Sequence, residues 1–574
     1  MSVIPLKADS KLAPRPRSWR PDPMLLVFLL LVALLVFLVA NPILRLLAES
    51  LRGVDGWSFE RYAQAFGRSR YVDALWTTLQ LGLASTALSL VIALPMAWGV
   101  SRTNLPAKGF FNLSVLAAFI MPPFLGAIAW ILLAGPNAGW VNRAWMALFG
   151  TAGGPVNLFS FWGLALVIAL YAFPLVYIFA KSALDLISTE LEDAAFIHGA
   201  GKLATLRRVT LPLVLPAVCG AAILVFLEAI ALYGTPVLIA IPAGINVATT
   251  QMATFFEYPL RVEVAAAYAM PMLATTVVLL GVQRMLLARK GYVSVSGKGG
   301  ERRPLDIGAW RWVLFAWCGL VALITVLLPL VVLLQSAFSR AWGRGFSLDN
   351  LTLANFSHIL LEQATVRGAI VNTFVYAGAA ALACVAIGLA VAYVVQRRLL
   401  PFPGVLQFLS LAPFAVPGIV LAVAFYAAYA GPPFSLYGTG LLIVIAYITR
   451  FLPISATAAT AAVKSLNPEL EEAVRIMGGS RYQAVSRVVV PLLGKTLFGS
   501  FILVFIIATR ELSTAVFLSG PETRVMSVLI LDLSEQGNYE VLSAIGVVML
   551  VVTGALVALG MKFVGRDFMT RRRA

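Results

Sequence analysis

The sequence predicts an all-α polytopic membrane protein, with twelve transmembrane helices forming two parallel six-helix repeats. Three observations predict it. The chain of 574 residues is 60% hydrophobic and only 12% charged, with a mean hydropathy of +0.90; a soluble domain is about 45–50% apolar and about 25% charged. The apolar residues fall into runs long enough to cross a bilayer, which takes about 20 residues per helix. Two charged stretches, far apart in sequence, repeat one another without a gap. The net charge of +17 raises nucleic acid as a partner, but that reading needs a basic face on a soluble fold. Here the charges lie between apolar runs, so the lipid bilayer is the expected partner and nucleic acid is not.

Residues 1–23 are basic and proline-rich, with Lys7, Lys11, Arg15, Arg17 and Arg20. The run 24–47 that follows is longer than the roughly 7–15 residues of a signal-peptide core and no small-x-small site closes it, so it reads as a retained span. Further runs lie at 73–101, 110–134, 160–181, 213–240 and 262–287. A polar, glycine-rich linker over 289–310 comes next. The pattern then restarts at 311–335, 369–396, 405–430, 437–461, 497–519 and 541–563, and a basic tail over 564–574 closes the chain. The domains expected are therefore a first six-span unit over 24–288 and a second over 311–563. This threading gathers the N-terminus, the 102–108 turn, both charged stretches, the linker, Arg397-Arg398 and the tail on one side. That side then holds most of the chain's 43 lysines and arginines, which makes it cytoplasmic and places both termini there.

The halves are related in detail. Thr78 to Pro106 parallels Thr373 to Pro401 at an offset of 295, and the charged stretches align at an offset of 279. The first half therefore carries sixteen extra residues, expected in the external loop Gly135 to Phe159. With an even number of spans each, the repeats share one orientation, as parallel repeats about an axis along the membrane normal do.

The repeated stretches are the most informative part of the chain. The first runs from Glu190 through Gly199 to Pro212, within 188–212. The second runs from Glu469 through Gly478 to Pro491, within 467–491. Each begins at a helix cap, Ser188-Thr189 or Asn467-Pro468. Carboxylates follow in the first turn (Glu190, Glu192, Asp193; Glu469, Glu471, Glu472), where the helix dipole favours anions. Gly199 and Gly478-Gly479 are suited to end the helix in the left-handed conformation. A solvated loop would not need one architecture twice, so the pair reads as docking elements.

Other signals are weaker. Gly494-Lys495-Thr496 mimics the end of a phosphate-binding loop, but Val489 stands where the pattern requires glycine. Cys219, Cys318 and Cys384 show no pairing or metal spacing, and the two histidines lie far apart, so no metal site is expected. Ionisable residues inside spans are costly and are functional candidates; here they are Glu228, Arg450, Arg510 and Glu511, as lining or gate of a central pathway. The alternative is a structural ion pair, such as Arg450 with Glu511. Prolines at Pro95, Pro122-Pro123, Pro174, Pro413, Pro417 and Pro453 are expected to interrupt spans where neighbouring protein satisfies the freed backbone.

Asp193-Ala194-Ala195, then Gly199, then Val209-Thr-Leu-Pro212 resembles the "EAA" loop of type I ABC importer permeases. Glu472-Ala473-Val474, Gly478 and Val488-Val-Val-Pro491 resembles it again, with Asp for Glu in the first copy and Val for the second Ala in the other. The resemblance extends over the whole chain as a fused six-plus-six permease. It implies that the two loops are coupling helices for two copies of a cytoplasmic ABC ATPase, which would carry ATP and Mg while this chain binds no cofactor and catalyses nothing itself. It also implies a periplasmic or extracytoplasmic solute-binding protein docking on 135–159, 241–260 and 520–540, and residence in the bacterial cytoplasmic (inner) membrane. Leu232-Tyr-Gly-Thr-Pro236, Pro242-Ala-Gly244, Arg510-Glu-Leu-Ser-Thr514 and Val525 to Ser534 are similar to ferric-iron permeases. Relatives for 2-aminoethylphosphonate, thiamine or sugar phosphate are the alternatives within the family. An ion-coupled secondary transporter is the alternative outside it, and it has no use for a repeated docking loop.

Overall fold

The computed structural model describes residues 23–564 apart from 54, 188, 289–303, 400 and 401. The basic N-terminus, most of the linker and most of the tail lie outside the described residues. The regular elements described are all helices. Ten are long and apolar enough to cross a membrane: Leu26–Ser50, Ser69–Arg102, Phe161–Leu186, Leu206–Ala231, Val262–Leu286, Trp310–Ala337, Ala364–Gln396, Gly440–Ser465, Arg481–Thr509 and Tyr539–Phe563. The runs expected at 110–134 and 405–430 are not single helices. Lys108–Ile120 with Pro123–Ala134 is bent by 102°, and Pro403–Ala415 with Gly418–Tyr429 by 115°.

Proline sets both bends. It has no N–H to donate and pushes the preceding residue out of the helical region. Met121 (ψ 125°) and Pro122 (ψ 135°) are extended at the first bend, and Val416 (ψ 116°) and Pro417 (ψ 146°) at the second. Pro95, Pro174 and Pro453 were also expected to interrupt spans, but they sit inside continuous helices. Spans packed on several sides hold such helices together through the missing bond.

Each bent pair nevertheless crosses once. The second span (Ser69–Arg102) and the fourth (Phe161–Leu186) run parallel. Ser69, Thr77 and Phe161 line one pocket at one end; at the other, Ser101 Oγ donates to Asp185 and Arg102 Nη1 to the carbonyl of Ile187 (3.3 Å). The chain between parallel neighbours must traverse the membrane an odd number of times. In the second half, the eighth span (Ala364–Gln396) and the tenth (Gly440–Ser465) are parallel in the same way. Arg397 Nη2 donates to Leu466 O (3.2 Å) at one end, and at the other Thr523 Oγ1 donates to Gly438 O (2.9 Å) beside the eighth span's Asn372. Twelve crossings result among the described residues.

Structure repeats as the sequence does. Thr78 Oγ1 accepts from the Ala248 N–H at 2.7 Å, and its counterpart Thr373 accepts from the Met526 N–H at 2.7 Å. Between the second and fourth spans of each half, the difference of sixteen residues lies wholly in one connection, 135–160 in the first half against 430–439 in the second. The longer connection holds an extra helix, Trp140–Phe149. Asn142 pins it from the buried side: its Nδ2 donates to Gly135 O (3.0 Å) and Val156 O (2.7 Å), and its Oδ1 accepts from Val156 N (3.0 Å). Asn142→Leu leaves those backbone groups without partners in a dry site, at about 1–3 kcal/mol. Faster protease cleavage within 135–160 is the expected readout, and a cleavage rate equal to the parent's would refute it.

The halves exchange their first spans. Leu26–Ser50 packs on 403–429 of the second half, and Trp310–Ala337 on 108–134 of the first. Pro42 makes one exchange specific. The turn before it widens to a π-turn over Val36–Ala40, with Asn41 N–H reaching Val36 O. The carbonyls of Phe37 and Leu38 then accept from the Tyr429 hydroxyl and from Thr449 Oγ1 (3.0 Å), both in the other half.

Candidate functional site

The two docking stretches form short helices at equivalent places, Thr189–Ile197 and Glu469–Ile476. Asn467 starts the second one: its Oδ1 accepts from Glu469 N (3.1 Å), with Pro468 in the first turn. Gly199 (φ 82°) and Gly478 (φ 84°) end the helices in the left-handed region, where a side chain is disfavoured and glycine is not. The carbonyls of Ala195 and Val474 then accept from Ala200 N (2.9 Å) and Gly479 N (2.9 Å), which closes each C-terminus as a Schellman turn does.

Glu190, Asp193, Ala194, Glu469, Glu472 and Ala473 are exposed and Ala195 is half-buried; the side chain of Glu192 lies outside what is described. Residues missed in sequence join them. Leu191 and Ile197 are exposed in the first loop, and Leu470 and Ile476 stand exposed at the same places in the second. Exposed apolar side chains at matching places in both copies, ringed by charge, are chemistry a protein partner could use. Their identity across the aligned copies was the available signal.

Glu471 was expected on that outer surface, and the structure turns it inward. It is only 7% exposed. Arg397 Nε and Nη2 donate to its Oε1 at 2.9 and 2.6 Å, and Tyr393 OH donates to its Oε2 at 2.8 Å. Desolvation is tolerable there because both oxygens are paired.

Pro212 and Pro491 close the repeated stretches in sequence, but they do not mark a helix boundary. They lie instead within continuous helix, each two residues beyond a π-turn, 206–210 or 485–489. Leu211 N–H reaches Leu206 O and Val490 N–H reaches Val485 O, the wider spacing that makes room for the proline ring. The fifth and eleventh spans therefore begin earlier than expected, and they also stop earlier, at Ala231 and Thr509. The apolar residues beyond, once assigned to spans 213–240 and 497–519, form separate short helices, Gly234–Ile239 and Ala515–Leu518.

The four intramembrane charges gather around these two elbows. Arg450 Nε pairs with Glu511 Oε2 at 3.2 Å, and its Nη1 donates to Thr514 Oγ1 at 3.1 Å. Thr514 N donates to Glu511 Oε1 at 2.9 Å. The guanidinium rests on Gly418, where an added Cβ would overlap it. Arg510 reaches into the other half: its Nη1 donates to the carbonyl of Phe119, whose ring lies 4.9 Å below the guanidinium. That carbonyl belongs to the helix end left open by the first bend. Glu228, half-buried on the fifth span, lies within electrostatic reach of Arg510 and Arg450.

Just outside these charges the halves close on one another. Gly234 abuts Leu512 and Phe124 so tightly that a Cβ would stand 2.6 Å from Leu512 Cδ2. Tyr233 packs on Phe517 (5.4 Å between centroids), Phe517 on Phe256 (4.9 Å) and Phe256 on Tyr426 (5.5 Å). In the connection that follows, Arg524 pairs with Asp532 at 3.0 Å. Burial raises the Asp532 carboxyl above its ordinary value, with Arg524 opposing; Glu535 is raised by burial and by Asp532. Among the described residues no group of three or more His, Cys, Asp or Glu could hold a metal ion.

Comparison with known proteins adds the relationship. The family model for a binding-protein-dependent transport system inner membrane component matches twice, over residues 88–292 and 385–569. The chain is 28% identical to the ferric transport system permease protein FbpB of Actinobacillus pleuropneumoniae, over 92% of this chain and 76% of that one. It is 22% identical to the Fe(3+)-transport system permease protein FbpB 2 of Haemophilus influenzae, over 93% and 98%. It is 31% identical to a 2-aminoethylphosphonate transport system permease protein of Salmonella paratyphi A, over 38% and 72%.

Proposed function

The chain belongs to the family of binding-protein-dependent transport system inner membrane components and carries that domain twice; on this premise we propose that it forms the pathway of an ATP-driven importer of ferric iron. Two exposed helices with matching apolar and acidic residues, each ended by a glycine with φ above 80°, carry the reading. Each would seat in one copy of a cytoplasmic ABC ATPase, which binds and hydrolyses ATP with Mg. The charge distribution supports a cytoplasmic placement of these helices and of both termini.

Ferric iron as cargo is supported by similarity to ferric permeases along nearly the whole chain, whereas the phosphonate relative matches little more than a third of it. A solute-binding protein would deliver the cargo to the connections at 135–159, 241–260 and 520–540. The aromatic seam of Tyr233, Phe256, Tyr426 and Phe517 would shut the outer end of the pathway, which suits a resting state closed to the outside. Glu228 and Arg510, which precede Tyr233 and Phe517 by a few residues in the two halves, suit a gate, while the Arg450–Glu511 pair is bonded as a fixed strut.

Proteoliposomes holding this chain, its ATPase and its binding protein provide the test. Uptake of radioactive ferric iron should require internal ATP and the binding protein together. Uptake driven by an ion gradient without ATP would refute the importer reading, and preferential uptake of 2-aminoethylphosphonate or thiamine would refute the cargo alone.

A further inference from the structure

The acidic first turn of the second docking helix divides into two sets. Glu469 and Glu472 face outward, whereas Glu471 points back into the membrane domain. Its carboxylate is held by three hydrogen bonds from two residues of the eighth span's end, Tyr393 and Arg397. The same Arg397 guanidinium also donates to Leu466 O at 3.2 Å, the carbonyl that ends the tenth span. One side chain therefore ties together three separate elements: the docking helix, the tenth span and the eighth.

We propose that Arg397, Glu471 and Tyr393 form the joint through which movement of the second docking helix reaches the eighth span and, along it, the outer face; the inference rests on the ATPase-coupling reading above. The docking helix is only eight residues long and is joined to the spans by short segments, Leu466 to Pro468 before it and Gly478-Gly479 after it. An isolated helix of that length is not rigid, and a push delivered to it would be spent in those connections. Charge-assisted bonds to a carboxylate paired on both oxygens are short and strong, so the joint makes the push act on the span.

The eighth span is built to pass it on. It runs 33 residues, Ala364–Gln396, with no proline inside it, which is about 50 Å of continuous helix. At its far end Asn372 Nδ2 donates to Glu522 O (3.0 Å) and Arg524 O (3.1 Å). The next residue, Thr373, accepts from the N–H of Met526, the first residue of the following helix. Both ends of one rod thus hold a mobile partner's contact region: the docking helix inside, and the 520–540 connection outside. The other half repeats the inner anchor. Arg102 stands at the repeat position of Arg397, and its Nη1 donates to Ile187 O at 3.3 Å, the counterpart of Leu466.

The test uses the full complex with ATPase and binding protein in proteoliposomes, measuring ATP hydrolysed per iron imported. Arg397→Glu and Glu471→Arg should each raise that ratio at least roughly tenfold, since each removes charge-assisted bonds and sets like charges together. The swapped double variant should recover most of the loss. Tyr393→Phe, which keeps the ring and deletes one bond, should raise the ratio by a smaller factor and keeps the test open if a charge variant fails to assemble. A wild-type ratio in the single variants, no recovery in the swap, or loss of bound ATPase from the Arg397→Glu complex would overturn the joint. A parent complex that imports no iron with ATP present would instead overturn the importer reading beneath it.

Discussion

A Gly478→Pro chain is expected to reach the membrane with its spans intact and to bind its ATPase at least roughly tenfold more weakly, a loss of about 1.4 kcal/mol or more. Proline is confined to φ near −65°, and Gly478 sits at φ 84°. No other atom lies within 4 Å of a Cβ added there, so the effect comes from the backbone and not from crowding. Proline also deletes the N–H that Gly478 donates to Arg475 O (3.0 Å). The helix must then end elsewhere, and the outward face of Glu469, Leu470, Glu472, Ala473 and Ile476 loses its aim. Gly478→Ala is the matched control: it meets only the left-handed penalty of about 1–2 kcal/mol and should retain part of the binding. Gly199→Pro should behave alike on the first loop. Co-purification of ATPase with detergent-solubilised variants is the measurement, and full recovery of ATPase with Gly478→Pro would refute the docking assignment.

The second large effect concerns stability. Arg450→Met should destabilise the protein by about 3–5 kcal/mol, because it leaves the Glu511 carboxylate without its cation in a buried site. Glu511 is tied at one oxygen to Thr514 N, and its own carbonyl accepts from Ser527 Oγ at 2.7 Å, so an unpaired charge there disturbs the whole elbow after Thr509. The double variant Arg450→Met, Glu511→Leu removes both charges and should recover most of the loss. Thermal unfolding in a single detergent decides it: a double variant no more stable than Arg450→Met would mean that the pair is not the strut. Glu228→Gln is the contrasting change. It lacks a close partner of this kind and should alter transport more than unfolding temperature.

What was legible in the sequence follows from what each signal physically is. Duplication, span number and the two short repeated helices rest on period, composition and caps, which are local properties. The sixteen extra residues, legible from the alignment offset that changes between Pro106 and Glu190, were expected in the loop 135–159, and the helix Trp140–Phe149 lies there. The elbows after Ala231 and Thr509 were missed because Leu232 to Ala240 and Leu512 to Leu518 stay apolar, and hydropathy does not separate a continuing helix from a chain that folds back within protein. Pro122 and Pro95 look alike in sequence, yet only the first, adjoined by Pro123, breaks its helix.

The inward turn of Glu471 could not be read either. Its partner Arg397 is 74 residues away and looked like one more cytoplasmic charge. Arg450 with Glu511 was the exception, because two opposite charges in oil have few choices of partner. The apolar residues Leu191, Ile197, Leu470 and Ile476 were overlooked for the opposite reason: in a chain this hydrophobic, exposed leucine and isoleucine carry no contrast.

The exchanged first spans set a schedule for making the protein. Phe37 waits for Tyr429, 392 residues further along the chain, which at about 5–20 residues per second is roughly 20–80 s of synthesis. Throughout that interval the proline-loosened turn of the first span sits in lipid with two carbonyls unclaimed. A helix that leaves the ribosome long before its partner is therefore among the last to find its place. A chain stalled between the halves would present that turn as the mark of unfinished work to whatever surveys the membrane for it.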